Sequence, residues 1–216
     1  MLAETGDGLL LFDMPGRGES GGSVKFGAPE RAALEGALDF LAARPDVKDG
    51  KIGGLGFSTG AYILAQVASF DPRVKAVVLE GAFGDAIEQT RAVYNGRPFG
   101  TRLGAVLAVR THMDVKELRP IDVVGKIAPR PLVIVAGAND HTVPPELSRE
   151  LYDAAKMPKQ LWIIEGADHG QYGKTDSTYA PRLRAFFKGA LGVGDNAHVA
   201  GANTPPSIIS SAPSNP

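Results

Sequence analysis

The residues best suited to chemistry lie in Gly56-Phe57-Ser58-Thr59-Gly60, a Gly-x-Ser-x-Gly pentapeptide that follows the apolar run at 51–55. A serine held at a tight strand-to-helix turn has its hydroxyl lifted above the sheet and ready to attack a carbonyl. Side chains at Gly56 and Gly60 are expected to clash with the neighbouring backbone. The first backbone N–H of the following helix, at Thr59, is placed to hold a developing oxyanion. The pattern alone is weak in a chain with 27 glycines; a glycine-rich turn with a capping serine reads the same way. The strand before it and the helix after it favour the nucleophile.

A serine hydroxyl needs a base. Of four histidines, His198 falls in the C-terminal tail and His112 in an inserted segment, both expected to be solvated. His169 follows the last apolar run, in Gly166-Ala167-Asp168-His169-Gly170, and loops at the C-terminal ends of parallel strands are where such sheets present reactive groups. Asp140, just past the run at 132–136, is the carboxylate expected to orient the imidazole. Asp168 adjoins His169, so its side chain is expected to point elsewhere. Glu80, after the run at 74–79, is the alternative acid. His141 beside Asp140 lacks further ligand-spaced partners, so no metal and no cofactor is expected. The order Ser58, Asp140, His169 is a stronger signal than the pentapeptide by itself.

The elements that must position these residues are short apolar runs at 9–12, 51–55, 74–79, 132–136 and 161–165. They show little polar alternation, as strands buried on both faces of a parallel sheet do. Helices are predicted at Pro29 to Pro45, 59–69, 145–155 and 179–191. The alternation predicts an α/β fold with a doubly wound, mostly parallel sheet. Residues 1–191 read as one unit with a small helical cap inserted at about 84–130, helical near 86–94 and 103–110. Residues 192–216, rich in Gly, Ala, Asn, Ser and Pro, read as a flexible tail.

Composition narrows the function classes. The chain has 216 residues, 44% hydrophobic and 22% charged, with a formal charge of −1. That balance offers no overall field for nucleic acid or anionic lipid, so neither nucleic acid nor membrane is expected as a partner. No run approaches the roughly 20 apolar residues of a membrane span, and the first residues lack the pattern of a secretory leader; a cytoplasmic location is the expectation. There is no cysteine, which removes thiol nucleophiles and thiolate metal sites.

Residues 9–191 resemble an α/β-hydrolase core of the bacterial esterase and dienelactone-hydrolase-like kind. The resemblance rests on Phe12-Asp13-Met14-Pro15-Gly16-Arg17-Gly18-Glu19-Ser20, the elbow at 56–60, the acid loop at 137–144 and the histidine loop at 166–170. It implies a serine hydrolase acting on a small-molecule ester through an acyl-enzyme. With the same triad, amide, thioester and carbon–carbon hydrolysis remain open, as does a non-catalytic scaffold. Members of that family carry further strands and a His-Gly oxyanion loop ahead of the segment equivalent to Leu9, and one of those strands separates the counterparts of 9–12 and 51–55. Three outcomes follow: the two runs pair directly, another chain fills the gap, or the sequence is part of a longer protein. Self-association is expected if 9–12 is an exposed edge. A replacement oxyanion donor is sought in Arg17 or the backbone at 15–18.

Overall fold

Four of the apolar runs become one sheet in a computed structural model, which describes residues 8–47, 50–115 and 117–192. The strands are β1 (Ile52–Phe57), β2 (Val74–Glu80), β3 (Leu132–Gly137) and β4 (Lys159–Ile164). All are parallel and lie side by side in chain order. β3 is buried at every position and β2 at every position but Lys75, which is why their sequences carry so few polar residues.

Eight α-helices connect and flank the strands among the described residues: α1 (Ala28–Ala42), α2 (Thr59–Ala68), α3 (Ala86–Val93), α4 (Phe99–His112), α5 (Pro120–Val123), α6 (Pro145–Ala154), α7 (Tyr172–Thr175) and α8 (Tyr179–Leu191). α1 begins where Glu30 reaches back to accept the N–H groups of Lys25 and Gly27, at 2.7 and 3.0 Å, satisfying donors that a helix start leaves open. Asp85 caps α3 through the N–H groups of Ile87 and Glu88.

Strand alternation divides the apolar side chains between two layers. Val77, Leu79, Leu132 and Ile134 face α1, α2 and α6, while Val78, Val133 and Val135 meet Tyr172, Tyr179 and Leu183 of α7 and α8. Helices on both faces give the doubly wound sheet that the sequence predicts. Arg130 ties the base of the sheet together. Its guanidinium donates to the carbonyls of Asp71, Val74, Ala68 and Ile127, filling acceptors at the end of α2 and the start of β2.

The apolar run at 9–12 is a correction. Residues 8–14 carry no regular structure, and Leu9, Leu11 and Phe12 are 51%, 88% and 40% exposed. The run neither enters the sheet nor pairs with β1. A strand needs a hydrogen-bonding neighbour about 5 Å away, and β1 uses only its β2 edge. The expected cap segment contains α3, α4 and α5. Gly192 closes α8 in a left-handed conformation; the rest of the expected tail, 193–216, lies outside the described residues, as do His198 and the side chain of His112. Among the described residues, no helix is long and apolar enough to cross a membrane.

Candidate active site

Ser58 occupies the turn between β1 and α2 with φ 53° and ψ −115°, a region that costs a non-glycine residue about 1–3 kcal/mol. The turn is held from both sides. Ser58 N donates to Glu80 O of β2 at 2.8 Å, and Tyr62 N donates to Ser58 O at 3.1 Å. Gly56 is required because a Cβ there would come within 2.5 Å of the Gly60 carbonyl oxygen. The same reasoning fails for Gly60, whose Cβ position is open space. Crowding at this elbow is thus one-sided. Thr59 stands at the first position of α2, where backbone N–H groups have no partner within the helix.

Asp140 follows β3 and its side chain is fully buried. Oδ1 accepts the N–H groups of Thr142 and Val143 at 2.8 and 2.7 Å. Oδ2 lies 2.7 Å from His169 Nδ1. An acceptor so occupied fixes the proton on Nδ1 and leaves the Nε2 lone pair free to take another.

The loops carrying these residues are pressed together by glycines. A Cβ on Gly137 would lie 2.3 Å from Ala167 O, and one on Gly81 (φ +54°) would lie 2.9 Å from His169 Cε1. The hydrogen bonds of Asp168 go to backbone and not to the imidazole. Its Oδ1 accepts the backbone N–H groups of His169 and His141, bonds that hold its carboxyl below the usual carboxylate range. It thereby fastens the histidine loop to the acid loop.

His169 packs its ring against Phe57, centroids 4.6 Å apart, which places it beside the residue preceding Ser58. The structure therefore brings Asp140 and His169 into direct contact and sets both near the elbow. Among the described residues, no hydrogen bond joins Ser58 Oγ to the imidazole; catalytic hydrogen bonds are often long without substrate and tighten in its complex.

Glu80, the alternative acid, is engaged elsewhere. Tyr179 donates its hydroxyl to the Glu80 carboxyl, and burial pushes that carboxyl up while the tyrosine bond opposes the shift. Burial raises the pKa of the neighbouring Tyr172 hydroxyl, helped by nearby Asp140 and Glu80. His141 is exposed.

Beside the elbow lies a small open cleft of about 140 Å³ lined by Met14, Val24, Phe26, Ile63, Arg17 and Thr59, among others. Arg17 and Thr59 were expected near the reacting carbonyl. Val24, Phe26 and Ile63 carry no motif, and only the folded arrangement shows them as its apolar wall.

Comparison with known proteins agrees with this architecture. A family profile described as BAAT / Acyl-CoA thioester hydrolase C terminal matches residues 34–154, a stretch that contains Ser58 and Asp140 and more than half of the chain. The uncharacterized protein YfhR of Escherichia coli O157:H7 is 26% identical over 174 residues, covering 78% of this chain and 55% of its own length. The chain thus spans about half the length of that relative. Among solved structures, the α/β hydrolase GrgF from Penicillium sp. sh18 superposes with a TM-score of 0.68 at 20% identity, over 84% of this chain and 79% of its own. The Pyrococcus furiosus esterase Pf2001 gives 0.66 at 21% identity, over 83% and 69%. Both have the fold described above.

Proposed function

The chain belongs to the BAAT / acyl-CoA thioester hydrolase C-terminal family, and we propose that it is a serine hydrolase cleaving small carboxylic esters through an acyl-enzyme on Ser58. The observation that carries this reading is the Asp140–His169 pair, with its 2.7 Å contact and its filled carboxylate, set beside a nucleophile elbow.

In this mechanism Ser58 Oγ attacks the carbonyl carbon as its proton passes to His169 Nε2. Asp140 holds the imidazole in the required tautomer and stabilises the imidazolium that forms. The Thr59 N–H faces the oxyanion of the tetrahedral intermediate. Collapse returns the proton to the departing alcohol, and water, deprotonated by His169, releases the acid. The step requires Ser58 Oγ and Nε2 to close to hydrogen-bond distance, which rotation of the serine side chain can supply. A single positioned oxyanion donor in place of two lowers the rate by about 10²–10³-fold.

The test is hydrolysis of p-nitrophenyl butyrate together with covalent labelling by a fluorophosphonate. Ser58→Ala is expected to abolish the label and cut turnover by about 10³-fold or more. Unchanged turnover in that variant overturns the assignment. Absence of label on the unaltered chain favours a scaffold that binds without turnover.

The family match favours a second reading, an acyl thioester as substrate. The triad is common to both, so matched butyryl ester and butyryl-CoA substrates separate them by their ratio of kcat/KM.

A further inference from the structure

Helix α4 combines an exposed apolar stripe with charge of one sign. Its inner residues Val106 and Val109 touch the core, yet Phe99, Leu103 and Leu107 are 77%, 45% and 49% exposed. Spaced by four, they stack along one helical stripe, and Arg110, three residues on, continues it. Exposed Val93 and Tyr94, at the end of α3, add to the apolar surface. Between Glu88 and Asp114 the sequence has no acidic residue but carries Arg91, Arg97, Arg102 and Arg110. Arg91 is paired with Glu88; the other three are exposed.

We propose that α4 is a docking surface for an anionic phospholipid bilayer, with Phe99, Leu103 and Leu107 entering the headgroup boundary and Arg97, Arg102 and Arg110 facing lipid phosphates. An exposed apolar stripe that carries arginines, with no carboxylate between Glu88 and Asp114, offers both apolar contact and opposite charge to an anionic lipid surface. Charge selects the occupant. A second copy would set this arginine surface against itself, and a nucleic acid would leave the aliphatic stripe in water. The whole-chain charge of −1 conceals the segment because acidic residues elsewhere cancel it; the proposal departs here from the expectation of no membrane partner. Docking would also bring the bilayer toward the reaction site: α3 packs on α4, and Gln89 of α3 donates to Thr142 O in the Asp140 loop at 3.0 Å. The proposal stands whatever chemistry Ser58 performs.

The experiment is co-sedimentation of the full chain with sucrose-loaded vesicles of phosphatidylcholine alone or mixed with phosphatidylglycerol, with a vesicle-free spin to subtract aggregates. Sedimentation with the mixed vesicles is expected, weakened by salt at about 0.5 M. The triple variant Phe99→Asp/Leu103→Asp/Leu107→Asp and, separately, Arg97→Gln/Arg102→Gln/Arg110→Gln should each reduce partitioning by about tenfold or more with melting temperatures unchanged. Should the aspartate variant fail to fold, the glutamine variant decides, since its exposed positions leave the core untouched. Equal binding to both vesicle types, no binding to either, or binding unaltered in a folded variant overturns the proposal. So does a dimer that the aspartate variant dissociates in the absence of vesicle binding.

Discussion

β1 and β3 belong to the same sheet and have the same length, yet they hold their parts of the site by different means. β3 lies between two strands with every residue buried, and Asp140 emerges from it into a set of backbone hydrogen bonds. β1 is paired on one edge only, leaves Leu55 and Phe57 well exposed, and places glycine at positions 53, 54 and 56. Side chains at those glycines would strike Phe187, Leu64 and the Gly60 backbone. β1 thus gives up packing so that α2 and α8 can approach closely and the elbow can form. The loop that bears Asp140 is fixed by packing and hydrogen bonding, the turn at Ser58 by backbone geometry.

The comparison is sharpened most by Asp140→Asn. Replacing the orienting carboxylate should keep the fold and lower kcat by about 10³–10⁴-fold, through loss of the correct imidazole tautomer. Ester turnover near that of the unaltered chain would mean that β3 does not carry the orienting group. Next in size, Ile134→Ala in β3 should destabilise by about 2–5 kcal/mol, whereas Leu55→Ala in β1 should change stability by less than about 1 kcal/mol. Urea denaturation of both variants measures the contrast, and equal losses would break it.

The smallest effect concerns Glu80 at the end of β2. Its burial raises the carboxyl above its ordinary range, so the folded chain holds that proton at pH values where the unfolded chain has released it. A native state that binds more protons loses stability as pH rises. The decline starts near the ordinary carboxylate pKa and ends above the raised native one. Glu80→Gln should flatten this part of the profile of melting temperature against pH; an unchanged slope would remove Glu80 as its source.

Much of this was legible in the sequence because chemistry and burial leave local marks. Ser58, Asp140 and His169 each follow an apolar run by a few residues, so their loops could be placed at one end of the sheet before any coordinates. Runs such as Val-Ile-Val-Ala in β3 announce a strand covered on both faces. Leu9-Leu10-Leu11-Phe12 bears a similar mark and misleads, because apolarity reports what a segment could bury and not whether a neighbouring strand is present. The restraints on the site were not legible. Gly137 against Ala167, Gly81 against His169 and Glu80 against Tyr179 are meetings of residues far apart in the chain, and no local spacing encodes them. The helix around 103–110 was legible, but its local charge was not, because a total charge averages away a short stretch of one sign.

The turn at Ser58 has an evolutionary corollary. A glycine would sit at φ 53° and ψ −115° with little penalty, because it lacks the Cβ that makes the region unfavourable. With Ser58 as the nucleophile proposed above, hardiness and reactivity are opposed at this one residue. Under selection for thermal endurance alone the hydroxyl would be the natural group to discard, and a lineage that keeps it carries a slightly weaker fold in every molecule it makes.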